Sequence, residues 1–117
     1  MSAEPQEHAI ELDPARVQER LRDGDVQVID VREAYEREAG YIEGTRHVEL
    51  ARLSEQASTV AREQPVVFYC RVGARSQMAA QAFRAAGYEA YSMVGGLKRW
   101  AQEDRPLSPA GGTVADH

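Results

Sequence analysis

The apolar run Pro65-Val66-Val67-Phe68-Tyr69 passes directly into Cys70-Arg71-Val72-Gly73-Ala74-Arg75-Ser76 and then into an Ala-rich stretch that reaches Ala86. β-branched and aromatic residues favour a strand, the glycine a turn, and the alanine-rich pattern a helix, so this stretch is predicted to be strand, loop, helix. Gly87 is a natural stop for that helix. Cys70, the only cysteine of the chain, therefore falls at the mouth of a helix. Backbone N–H groups of such a loop converge on one point, and the helix start adds about half a positive charge there. Arg71 and Arg75 add full charges. The expected product is a nucleophilic thiolate in an anion-binding cradle. A lone cysteine after a strand is more often a small buried hydrophobe, but the flanking Arg71, Gly73 and Arg75 favour the reactive reading.

The rest of the chain repeats the alternation. Strands are predicted at 9–12, 26–31, near 46–48, at 65–69 and at 89–93. Asp13-Pro14 opens a helix through Val17 and Leu21, as an N-cap followed by proline at the first helical position. A short charged helix is expected at 33–38, ended by Gly40, and a longer one at 50–62 from the spacing of Leu50, Leu53, Ala57, Val60 and Ala61. Gly95-Gly96 turns the chain into a last helix carrying Leu97 and Trp100. Short strands joined by helical crossovers predict an α/β domain, a parallel five-stranded sheet with helices on both faces. Ligands of such sheets lie beyond the carboxyl ends of the strands, where Cys70 is placed. The 117 residues suit one domain, expected over 8–107 between a flexible leader, 1–7, and a flexible tail, 108–117.

Charge and composition exclude several classes. With 14 basic and 19 acidic residues the formal net charge is -5, which argues against nucleic-acid or anionic-membrane partners. One cysteine excludes an intramolecular disulfide framework, and the scattered His8, His47 and His117 make no metal constellation. The polar leader has no apolar core, and no stretch approaches the ~20 apolar residues that span a bilayer. A cytoplasmic protein is the default.

Three blocks carry a resemblance to a known family. The first is Val28-Ile29-Asp30-Val31-Arg32-Glu33, continued by Glu36, Gly40-Tyr41-Ile42 and Gly44-Thr45. The second is Tyr69 to Ser76. The third is Met93-Val94-Gly95-Gly96-Leu97, with Trp100 and Pro106. In order and spacing the chain resembles a single-domain rhodanese, a sulfurtransferase. It departs at Tyr41, where the family usually has histidine, at Thr45, where alanine is common, and at Val48-Glu49, where Ile-Pro is common. These positions are expected to be structural.

The resemblance implies that Cys70 takes a sulfur from thiosulfate or a related persulfide donor and passes it to a thiophilic acceptor, cyanide in vitro or a thiol such as thioredoxin or glutathione. Arg71 and Arg75 would hold the anionic donor, with Arg75 also pinning the loop. Backbone N–H groups over Arg71, Val72, Gly73, Ala74, Arg75 and Ser76 would stabilise the sulfur anion. No metal or organic cofactor is implied. Related phosphatases carry one more residue between cysteine and arginine, whereas the Cys70-to-Arg75 spacing is the shorter, sulfur-associated form.

The alternative is a non-catalytic rhodanese-fold interaction or redox/persulfide-sensing module. A thiol–disulfide oxidoreductase is disfavoured for want of a second cysteine. Elsewhere plainer readings prevail. Asp30 and Arg32 are expected to brace the strand end as an ion pair, Phe83 and Trp100 to be core, and the acidic run 33–43 to be a solvated face. The Gly95-Gly96 pair is a weak phosphate-binding signal, and His47 a poor candidate base.

Overall fold

The computed structural model describes residues 9–117; the expected leader, 1–7, and His8 lie outside the described residues. Five parallel strands form one sheet in the order β1-β5-β4-β2-β3: β1 Glu11–Leu12, β2 Gln27–Asp30, β3 Arg46–His47, β4 Val66–Tyr69 and β5 Ala90–Met93. The helices are α1 Pro14–Asp23, α2 Ala34–Ala39, α3 Leu53–Gln56, α4 Ala74–Ala85 and α5 Gly96–Gln102. Among the described residues no helix is long and apolar enough to cross a membrane.

Strand periodicity divides the core. Val66 and Phe68 of β4 join Ile29 of β2 in a cluster with Leu53, Val60, Ala79 and Phe83, under α3 and α4. Val67 and Tyr69 face the other way, with Val28, against Val17 of α1 and Leu97 and Trp100 of α5. Successive side chains of a strand point to opposite faces, so an all-apolar strand such as β4 supplies two cores at once. Phe83 packs edge-on against Phe68 at 5.0 Å between ring centres.

Local chemistry accounts for the helix ends. The Asp13 carboxylate accepts from Arg16 N–H at 2.9 Å, and Gly24 closes α1 in the left-handed region at φ 76°. The predicted helix over 50–62 is instead three short pieces, 3₁₀ turns at Leu50–Arg52 and Ala57–Thr59 flanking α3. Its later carbonyls are drawn off elsewhere: Tyr88 O–H donates to Ala57 O and Val60 O, and the Thr59 hydroxyl donates back to Gln56 O at 2.6 Å. Helical spacing of apolar residues survives, but the hydrogen-bond ladder does not.

Residues 108–117, expected as a tail, lie against the domain. Ser108 and Tyr41 exchange backbone hydrogen bonds at 2.7 and 2.9 Å, Thr113 N–H donates to Ala39 O at 2.8 Å, and Val114 packs on the α1–α5 side of the core.

Candidate active site

Cys70 follows β4 directly, and its Sγ lies where α4 begins. Gly73 N–H donates to it at 3.1 Å and Ser76 N–H at 3.4 Å. Gly73 adopts φ 117°, a left-handed value open to glycine at little cost, which turns its N–H inward. Positive ends of peptide dipoles thus converge on the sulfur, as at other anion-binding helix starts. Cys70 is only 1% exposed.

Beneath the sulfur lies a pair of buried hydroxyls. The Ser76 hydroxyl is 3.5 Å from Cys70 Sγ and 2.7 Å from the hydroxyl of Ser92 on β5. A hydroxyl can donate or accept: Ser76 accepts a hydrogen bond from the thiol S–H while donating to Gly73 O at 3.2 Å, and can turn to donate to a thiolate, with Ser92 donating to Ser76 in turn. Nothing local in the sequence marks Ser92. Only the parallel register that sets it beside Phe68 brings it under the loop. Ser92→Ala is expected to slow alkylation of Cys70 by iodoacetamide about 2- to 10-fold, the loss of one hydrogen bond worth roughly 0.5–1.5 kcal/mol. An unchanged rate in the folded variant would remove Ser92 from the site.

The loop is held from two sides. From α5, Leu97 N–H donates to Cys70 O at 2.8 Å and Lys98 N–H to Arg71 O at 3.0 Å. The Gly95-Gly96 pair therefore docks the loop's own backbone. From α4, Arg75 reaches back to Glu36 of α2 through two hydrogen bonds, at 2.8 and 2.9 Å. Glu36 is wholly buried and also accepts from Glu33 N–H at 3.0 Å, completing a capping box for α2. This corrects the reading of 33–43 as a solvated face for Glu36 alone of its acids, since Glu33, Glu38 and Glu43 are exposed. Burial pushes the Glu36 carboxyl up, but the Arg75 hydrogen bonds and the α2 cap outweigh it and hold the carboxyl below its ordinary range.

Neighbouring strand ends brace the frame. Asp30 and Arg32 form a fully buried bidentate pair, 2.9 and 2.8 Å, and Arg32 also donates to Gly40 O. His47 Nε2 is 2.7 Å from Arg32 O, so its ring is committed to backbone. All three departures from the family pattern take part in the frame. The Thr45 hydroxyl donates to Ile42 O at 2.6 Å and meets the Tyr69 hydroxyl at 3.1 Å. Tyr41 stacks under the Arg37 guanidinium at 4.0 Å, and Glu49 accepts from Ala34 N–H at 2.9 Å. Burial first, then the Asp30 charge, pushes the Tyr69 hydroxyl up to about 12, so it stays a neutral partner for Thr45.

Of the remaining loop residues, Val72 is half-exposed and Ala74 starts α4. The Arg71 side chain is only 26% exposed and its Nη2 lies 3.3 Å from the carboxylate of solvated Asp116, while its Nε is buried without a hydrogen-bond partner among the described residues. A cleft of about 510 Å³ lies alongside, lined by Val31, Glu33, Leu50, Arg75 and His117 among others. A larger groove, about 740 Å³, runs between α1 and α5 past Leu21, Ile42 and Trp100, but no residue of the Cys70 loop lines it. Among the described residues, no three His, Cys, Asp or Glu side chains are grouped so that they could hold a metal ion.

Comparison with known proteins places this arrangement. The family model for the rhodanese-like domain matches residues 13–103. Thiosulfate sulfurtransferase GlpE of Coxiella burnetii is 34% identical over 93 residues, 79% of this chain and 86% of that one. The uncharacterized protein YqhL of Bacillus subtilis is 41% identical over 75 residues, 63% of this chain, which covers 60% of YqhL. Among solved structures, a rhodanese-related protein from Thermoplasma volcanium superposes with a TM-score of 0.78 at 25% identity, over 83% of this chain and 95% of that one.

Proposed function

Because the chain belongs to the rhodanese-like domain family, whose relatives include sulfurtransferases, we propose that it moves a sulfane sulfur from an anionic donor, thiosulfate or a related persulfide, to a thiophilic acceptor through a persulfide on Cys70. The observation that carries the reading is the convergence of Gly73 N–H and Ser76 N–H on Cys70 Sγ at the start of α4. Those donors are aimed at Sγ, the atom that carries the negative charge as thiolate before the first displacement and after the second.

The Cys70 thiolate attacks the outer sulfur of the donor. A new S–S bond forms while the donor's own S–S bond breaks, and sulfite, or a thiolate where the donor is a persulfide, leaves with the electron pair. An acceptor thiolate, or cyanide, then attacks the outer persulfide sulfur and returns Cys70 as thiolate. The two displacements balance without any further oxidant or reductant. In this scheme Arg71 meets the anionic donor, the partner it would exchange being the exposed carboxylate of Asp116. Arg75 is engaged with Glu36 and contributes by fixing the loop. Thiols such as thioredoxin or glutathione, in the cytoplasm, are the proposed acceptors.

One observation favours a second reading, a persulfide-sensing or binding module: Cys70 is almost entirely covered. Steady-state assay separates the two. With thiosulfate and cyanide, an enzyme produces sulfite and thiocyanate in many-fold excess over protein, and Cys70→Ser produces neither. Release of at most one equivalent, with thiosulfate and with organic persulfides alike, would favour the sensing module.

A further inference from the structure

The segment 113–117 spans from α2 to the Cys70 loop and is anchored on both. On the α2 side, Thr113 N–H donates to Ala39 O at 2.8 Å, the Tyr35 hydroxyl donates to Asp116 O at 3.1 Å, and His117 Nε2 lies 3.4 Å from Glu33. On the loop side, the Asp116 carboxylate meets Arg71 Nη2 at 3.3 Å. Gly40 provides the seat: a Cβ there would come within 2.4 Å of Thr113 O and 2.8 Å of Thr113 N, so any side chain at 40 would lift the segment off. His117 forms a wall of the cleft that Arg75 and Leu50 also line.

We propose that this segment is a specificity-determining strap, in which the Asp116 carboxylate occupies Arg71 as an internal competitor of small anionic sulfur donors. The inference rests on the sulfurtransferase reading for its substrates, but its physical core is separate from it. A thiosulfate dianion that approaches Cys70 by way of Arg71 must displace one carboxylate and tolerate its charge nearby. A donor of no net charge at neutral pH, such as cysteamine persulfide, whose ammonium balances its persulfide anion, meets no such competitor. The Asp116 side chain is almost fully solvated, and exposed ion pairs are weak, so the strap biases the choice of donor and does not lock the site. Half-exposed Tyr35 and Val72 leave apolar surface at the same mouth for an organic donor or acceptor.

Two arms test the strap. In steady state, Asp116→Asn is expected to lower KM for thiosulfate about 2- to 5-fold, the scale of an exposed ion pair, and to leave KM for cysteamine persulfide, a zwitterion, within error. Asp116→Lys should lower the thiosulfate KM further, and Glu63→Gln, an exposed carboxylate elsewhere on the surface, should leave it alone. In the second arm, thiosulfate is titrated onto Cys70→Ser protein, which cannot transfer sulfur, with the Arg71 and Gly73 amide signals as readout. The added Asp116→Asn substitution should tighten Kd by the same factor. An unchanged thiosulfate Kd with Asp116→Asn overturns the strap whether or not the wild type turns over. Absence of turnover in the wild type, with the Kd shift present, overturns the sulfurtransferase reading and leaves the strap standing. Equal changes in KM for charged and neutral donors would also overturn it, since the effect would then be access and not charge.

Discussion

Gly96→Ala is expected to cost at least about 100-fold in activity, the penalty of misplacing a reacting group by roughly 1 Å, with a loss of stability of about 2–4 kcal/mol as in other overpacked sites. A Cβ at this position would lie 2.4 Å from Arg71 O and 2.6 Å from Cys70 O, both backbone atoms that cannot swing away. Residue 96 also adopts φ 62°, in the left-handed region that L side chains enter at a cost of about 1–2 kcal/mol. Relief requires the Cys70 loop to move off α5, which breaks the hydrogen bonds from Leu97 and Lys98 that hold it. Gly24→Ala separates strain from clash. Gly24 has φ 76° but open space around its Cβ position, so that variant should lose stability and keep the activity of the folded fraction. Equal losses of activity in the two variants would show that the contact between the Gly95-Gly96 turn and the loop does not position Cys70.

The second large effect is expected at Arg75. Arg75→Ala leaves the wholly buried Glu36 carboxylate with Glu33 N–H as its remaining bond, and breaking a buried pair from one side costs about 3–5 kcal/mol. Glu36→Gln is milder, because it removes the buried charge and leaves Arg75 partly solvated. The pair also predicts an acid limb. Since Arg75 and the α2 cap hold Glu36 below its ordinary range in spite of burial, its stabilisation is fully present above the unfolded-state value of about 4.3. It fades as pH falls through the lower folded-state value. Urea midpoints measured from pH 7 to pH 3 should therefore converge for wild type and Glu36→Gln at the acid end. A constant gap over the whole range would mean that the Glu36 charge contributes nothing to folding.

The sequence was legible where a single segment carries its own physics. The run through β4, Cys70 and α4 combines strand, glycine turn and helix within about twenty residues, and local rules suffice there. Asp30 and Arg32 are two residues apart, so their ion pair is equally local. The partner of Glu36 is 39 residues away, so in the sequence it is only one acid in a charged helix. Ser92 carries no local signal, because its place under the loop comes from β4–β5 register. The break in the helix over 50–62 has no local sign, because Tyr88, from beyond α4, takes carbonyls that a continuous helix would use. Residues 108–117, with small side chains and no strong periodicity, carry no local sign of the seat that Gly40 and Ala39 offer them.

The central claim, a sulfur relay on Cys70, is tested most directly by intact mass spectrometry of the reduced protein after brief treatment with thiosulfate, with released sulfite assayed in parallel. The account predicts a gain of one sulfur atom on the wild type, absent from Cys70→Ser, equal in amount to the sulfite released and discharged by cyanide as thiocyanate. A wild-type mass that stays unchanged with thiosulfate and with organic persulfides would contradict it, as would an added sulfur that persists in Cys70→Ser.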